Sequence, residues 1–219
     1  MFHLKPHGVM ALAALAYMLG YGSAEARPIS YVGGTMLMLE NDSSRNAADV
    51  SYTFIRDFSA GVLTEYWREN DWWFGGVQGN YLINRWNLPN AQANIYLNGG
   101  AGVAHSDAGA FDNKNEPAGF IGFMADAEDR RFYVSYKNRY TNAGEIDRFF
   151  EQSGRIGVAP YVGDYGDVHT WLMLQVDHRP WSEEHVEATP LVRMFWRDYL
   201  VEAGYSNQNK FLFNLTVTY

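Results

Sequence analysis

Apolar and polar side chains alternate at every second position through most of the chain from about residue 31 onward, broken by clusters of Gly, Asn, Asp and Pro. A period of two puts successive side chains on opposite faces of an extended strand, and the breaking residues are those that favour turns. The pattern predicts about twelve strands, at 31–39, 48–55, 58–67, 72–83, 91–103, 118–126, 131–140, 152–162, 169–177, 189–196, 199–206 and 210–219. The last is the cleanest. Phe211, Phe213, Leu215, Val217 and Tyr219 share one face, and Leu212, Asn214, Thr216 and Thr218 share the other. A water-facing sheet has little use for five large apolar side chains running up to the terminal carboxylate, whereas a strand against lipid does.

In this final strand the chain resembles the transmembrane β-barrels of the Gram-negative outer membrane, whose last strand carries the same alternation and a terminal aromatic read by the assembly machinery. Most members end in Phe or Trp, and this chain ends in Tyr219. The resemblance implies an all-β fold, a single antiparallel transmembrane β-barrel in the cell outer membrane. It also implies two partners: outer-membrane lipid, and the barrel-assembly machinery through the C-terminal strand. The strand count reads as about twelve, or ten if the first or the eighth segment is misread. A soluble barrel of the lipocalin kind is the competing fold, and it would reverse every facing by turning the apolar set inward.

Polar parity separates the two faces. In the fourth strand Gln78 and Asn80 oppose Trp73, Val77, Tyr81 and Ile83; in the fifth, Gln92, Asn94, Tyr96 and Asn98 oppose Ala93, Ile95, Leu97, Ala101 and Val103. The wetter face belongs to the lumen. The first strand, with Met36, Leu37, Met38 and Leu39 in succession, does not declare its face. An even strand number returns both termini to one side, so the long connections at 104–117, 141–151 and 178–188 fall on the outer side. The short turns Arg56-Asp57, Glu128-Asp129 and Arg197-Asp198 then fall on the inner side.

The first 26 residues read as a secretory signal peptide, with Lys5 between two histidines, an apolar run over 8–19, and Ala24-Glu25-Ala26 as a small-x-small cleavage site. The barrel then occupies 27–219. Beyond the leader no run approaches the roughly 18 apolar residues of a membrane-spanning helix. The 15 Tyr, 13 Phe, 7 Trp and 21 Gly with no Cys suit a bacterial barrel better than a disulfide-stapled secreted domain. A net charge of −8 argues against a nucleic-acid partner, which demands a concentrated basic surface.

If Arg197 and Asp198 form a two-residue hairpin loop, Arg193 faces Glu202 across the ladder, with both on the lumenal face, and Phe195 faces Leu200 beside them. Met194 with Val201 and Trp196 with Tyr199 then meet lipid. Glu65, Lys137, Arg139, Arg155, Asp177, Arg193 and Glu202, with Asp49, are the lumenal charges that could brace the barrel or select permeating ions. Both signs are present, so they make no single-sign filter. Trp67, Trp72, Trp73 and Phe74 around the Glu69-Asn70-Asp71 turn read as anchors at the lipid headgroup boundary.

Other chemistry is thinner. His105, and His178 with His185 among the acidic residues of one outer loop, could hold a divalent metal, but their spacing is irregular. Met36, Met38, Met124, Met173 and Met194 read as apolar packing rather than a copper relay. His105 with Ser106 and Asp107, or Ser182 with His185 and Glu184, would serve an outer-membrane lipid-modifying hydrolase only if folding brings nucleophile and base together. No Gly-x-Ser-x-Gly elbow supports that, and no catalytic residue or cofactor is assigned. The expected function is a passive channel for small hydrophilic solutes or ions. A hydrolase, or a plugged structural or metal-capturing barrel, is the alternative.

Overall fold

The computed structural model describes residues 28–164 and 166–219, so the signal peptide expected at 1–26 lies outside the described residues. Twelve strands follow one another: β1 (Thr35–Asn41), β2 (Arg45–Ile55), β3 (Phe58–Trp67), β4 (Trp72–Asn87), β5 (Ala91–Ser106), β6 (Lys114–Asp129), β7 (Phe132–Asn142), β8 (Arg148–Val158), β9 (His169–His178), β10 (Val186–Trp196), β11 (Tyr199–Tyr205) and β12 (Phe211–Thr218). Each pairs antiparallel with its neighbour in sequence, and β1 pairs with β12, so the sheet closes into a barrel without a free edge. Twelve, not ten, is the count.

The facing is the one expected of a lipid-exposed barrel. Val62, Val77, Val103, Ile121, Ile156, Leu172 and Phe213 lie exposed on the outside, while Asp49, Glu65, Asn80, Gln175, Arg193 and Glu202 are buried inside. The lipocalin alternative is thereby reversed. In β1 the ambiguity resolves: Met36 is buried and Met38 and Glu40 line the interior, leaving Leu37 and Leu39 on the outer face. In β12 Phe211, Phe213 and Tyr219 are exposed as expected, but Val217, between Leu37 and Tyr199 in register, is only 5 % exposed.

One bulge changes a parity that simple alternation would mispredict. Between Leu82 and Asn84 the β4–β5 register slips by a residue, so Arg85 pairs with Asn94 and its Nε donates to the Asn94 side chain at 2.7 Å. Without the extra residue, Arg85 would stand on the face of Tyr81 and Ile83; with it, Trp86 takes the exposed side.

The turns also correct the expected boundaries. Glu128 and Asp129 belong to β6, and the turn is Arg130-Arg131, where the backbone N–H groups of Arg131 and Phe132 donate to the Asp129 carboxylate. The Arg197-Asp198 hairpin is as expected, with Arg193 opposite Glu202 and Phe195 opposite Leu200; Arg197 takes a left-handed φ of 56°. Longer connections at 107–113, 143–147 and 179–185 gather at one end, but the longest, 159–168, lies at the other.

Candidate functional site

The barrel interior holds a cavity of about 210 Å³ walled by charged and amide side chains. Two ion-pair clusters bound it. In the outer one, Arg139 of β7 grips Glu65 of β3 with both Nη atoms, at 2.6 and 2.7 Å, and Arg45 of β2 reaches Glu40 at 2.9 Å, Glu65 at 3.2 Å and Glu151 of β8 at 3.6 Å. Strands β2 and β8 are six apart in a ring of twelve, so the Arg45–Glu151 contact crosses the lumen from wall to wall.

Aromatic rings hold the arginines flat. Arg139 lies over Phe120 at 3.8 Å and beside Trp67 at 5.5 Å, and Arg45 lies 5.3 Å from the same Trp67 ring. The rings belong to an apolar cluster inside the barrel: Trp67, Trp72, Phe74, Ile146 and Phe149, joined by Phe120 and Trp181. Glycines in β4 and β5 make room for it. A Cβ on Gly76 would come 2.8 Å from the Phe74 ring and 2.4 Å from the Ala101 carbonyl, and one on Gly100 would come 2.4 Å from Phe120. Of the tryptophans expected as lipid anchors, only Trp73 faces outward; Trp67 and Trp72 are buried in this lumenal cluster because Glu65, Trp67, Trp72 and Phe74 share the inward parity.

The 179–185 connection folds inward over the same end. Its Arg179 bonds Glu187 at 2.7 Å and Ser43 at 2.9 Å and lies 3.8 Å from Glu151, while Trp181 packs on Phe149 with ring centroids 4.7 Å apart. Opposite, in the β1–β2 connection, the Asp42 carboxylate accepts hydrogen bonds from the Ser44 and Arg45 backbone N–H groups at 2.7 and 2.9 Å. Burial opposes its ionisation. Arg179 and Arg45 nearby, with those hydrogen bonds, outweigh burial and hold the Asp42 carboxyl well below the usual carboxylate range.

The inner cluster centres on Glu202 of β11. Arg193 donates to it through Nε at 2.7 Å, Arg155 of β8 through Nη1 at 3.0 Å, and Asn214 at 2.7 Å. Arg155 Nε also donates to Gln175, whose amide donates to Asp177, each at 2.6 Å. The predicted Arg193–Glu202 pair is therefore present, with Arg155 added from three strands away. Below, at the end where β1 begins and β12 finishes, Ile29 packs on Leu82 and Tyr96 inside the mouth, and Ser59 donates to the Pro28 carbonyl at 2.8 Å.

All seven predicted lumenal charges thus point inward. Six of them enter ion pairs or hydrogen bonds within the two clusters, and Lys137 stands between. Arg45, Glu151, Arg179 and the inserted Pro28-Ile29 segment were not singled out from sequence. Extending the second strand back to 45 and the eighth back to 148 would have put Arg45 and Glu151 on the lumenal parity, but neither extension announces itself. An arginine in a connection carries no sign that its loop turns inward.

The other candidates do not assemble. His105 bonds Asp107 at 3.1 Å and Asn115 at 3.0 Å on the outer side of β5, whereas Ser106 points inward and donates to the Asp71 carbonyl at 3.1 Å. Ser182 donates its backbone N–H to the Arg179 carbonyl at 3.1 Å, and among the described residues no hydrogen bond joins it to His185 or Glu184. His178 bonds Gln152 at 2.9 Å rather than meeting His185, and among the described residues no three His, Cys, Asp or Glu side chains gather as a metal site.

No protein-family model matches this chain, and no curated protein matches it. Among solved structures it is similar to the KdgM porin in complex with disordered oligogalacturonate, at 12 % identity and a TM-score of 0.48, covering 85 % of this chain and 98 % of that one. It is also similar to the translocator domain of the autotransporter NalP from Neisseria meningitidis, at 9 % identity and a TM-score of 0.49, covering 97 % and 93 %. A third, a loop-deletion mutant of the Vibrio cholerae outer-membrane protein OmpT, has 12 % identity and a TM-score of 0.31, covering 85 % and 96 %. At identities this low, the closure and strand count of the present barrel rest on its own hydrogen-bonded pairing.

Proposed function

We propose that this protein resides in the outer membrane of a Gram-negative bacterium as a narrow channel for small hydrophilic solutes or ions. The carrying observation is the cavity of about 210 Å³ lined by Asp49, Gln78, Asn98, Lys137, Arg155 and Asn214 inside a barrel whose outside is apolar. A polar lumen lowers the cost of moving a hydrated solute past hydrocarbon, and its charges govern access. The exposed aromatics of β12 support reading by the barrel-assembly machinery, and the apolar belt supports contact with outer-membrane lipid.

Single-channel recording in planar bilayers tests the reading. Discrete conductance steps are expected from the wild-type chain, and larger ones from Glu65→Leu combined with Arg139→Met, which removes one of the ion pairs that cross the outer lumen. That bridge also favours a second reading, a plugged barrel with a structural role. A fully inserted protein silent in both forms would overturn the channel, and silence in the wild type with conduction in the double variant would support the plug.

A further inference from the structure

Resting on the channel reading, we infer that the lumenal compartment between the two ion-pair clusters selects small zwitterions, solutes with an ammonium at one end and a carboxylate at the other. The geometry sets opposite charges on facing walls. Lys137 and Arg155 stand on β7 and β8, and Asp49 and Glu40 on β2 and β1, all lining the same cavity. β2 and β7 are five strands apart in the ring of twelve, close to diametrically opposed.

Of the described charges lining this cavity, two stand outside the ion pairs. Neither Lys137 nor Asp49 takes part in an ion pair among the described residues, although Lys137 is within electrostatic reach of Glu40. Lys137 is exposed to the cavity, and Asp49 keeps one carboxylate oxygen without a hydrogen-bond partner. Arg155 and Arg193 both donate to Glu202, so they are held in the inner cluster, and Lys137 is the cation on that side that stands outside the ion pairs. On the opposite wall Glu40 is held by Arg45, while Asp49 accepts hydrogen bonds from Gln78 and Ser51 and has no ion-pair partner among the described residues.

A solute with one charge meets attraction from one wall and repulsion from the other. A zwitterion turned across the axis satisfies both, with its carboxylate toward Lys137 and its ammonium toward Asp49. The clusters above and below bound the compartment in which it turns. Lys137 and Asp49 are specificity-determining residues in this scheme.

Swelling of proteoliposomes carrying the full barrel measures it, with alanine as the zwitterion, lactamide as a neutral solute of similar size, and lactate as the anion. Alanine should enter faster than lactamide by roughly three- to fivefold, the scale of one solvated ion-pair contact. Lys137→Gln or Asp49→Asn should bring alanine down to the lactamide rate in the same vesicles, and Lys137→Arg should keep the preference. Equal entry of alanine and lactamide into wild-type vesicles, or faster entry of lactate than of alanine, would overturn the inference while leaving the channel in place. No swelling with any of the three would overturn the channel reading as well.

Discussion

Arg139 and Glu65, 74 residues apart in sequence and four strands apart in the ring, form a two-pronged ion pair across the lumen at 2.6 and 2.7 Å. The Glu65 side chain is only 1 % exposed, so its charge depends on its partners for compensation. Removing Arg139 takes both of its hydrogen bonds from a buried carboxylate and leaves Arg45, at 3.2 Å, as its remaining cation. Arg139→Met alone should therefore destabilise the barrel by about 1–3 kcal/mol, and the double change with Glu65→Leu by less. Urea unfolding in phospholipid vesicles, read as a double-mutant cycle, checks both values.

Facing makes a paired prediction in one strand. Val77 is 60 % exposed on the outer face, and Gln78 beside it lines the cavity. Val77→Arg would place a guanidinium against hydrocarbon and should cost about 2–4 kcal/mol. Gln78→Arg should be tolerated in folding and alter only conductance. Equal losses of stability at the two positions would contradict the assigned faces.

Trp181 reaches the lumenal aromatics only because its connection folds inward, against Phe149 and Trp67. Trp181→Ala should raise single-channel conductance and lower stability by about 1 kcal/mol, the scale of a lost aromatic contact. An unchanged conductance would mean that the connection leaves the route clear.

Asp42 gives stability a pH dependence with a definite sign. Its folded pKa lies below the usual value of about 3.9, so the stabilisation is fully present above that value and fades as pH falls below it. Asp42→Asn should be less stable than wild type at pH 7, with the gap closing as the solution is acidified below about pH 4. Unfolding free energies of the two proteins across that range provide the measurement, and a gap that widens on acidification would contradict the assignment.

The sequence was most legible where one strand sufficed. β3 begins and ends where its alternation predicts, at Phe58 and Trp67, because pleat parity is a local property of the backbone. The Arg193–Glu202 pairing followed from a two-residue turn, since such a turn sets the register of everything behind it. β1 was opaque because Met36 to Leu39 are apolar on both sides, and neighbours had to decide its face. Trp67 and Trp72 were misplaced for a related reason: aromatic rings suit both a lipid boundary and a lumenal cluster, and composition does not tell them apart.

By itself the chain determined an all-β barrel, apolar outside and polar inside, with the lumenal parity of its seven candidate charges. Alternation, turn residues and an even strand number are written in short stretches. Closure of the ring decided the rest: that Arg139 meets Glu65, that Arg155 joins Arg193 on one carboxylate, that Arg179 and Trp181 turn inward, and that Lys137 and Asp49 line one cavity. These contacts join strands far apart in sequence. No local pattern carries them, because the distance across a lumen exists only once β12 has found β1.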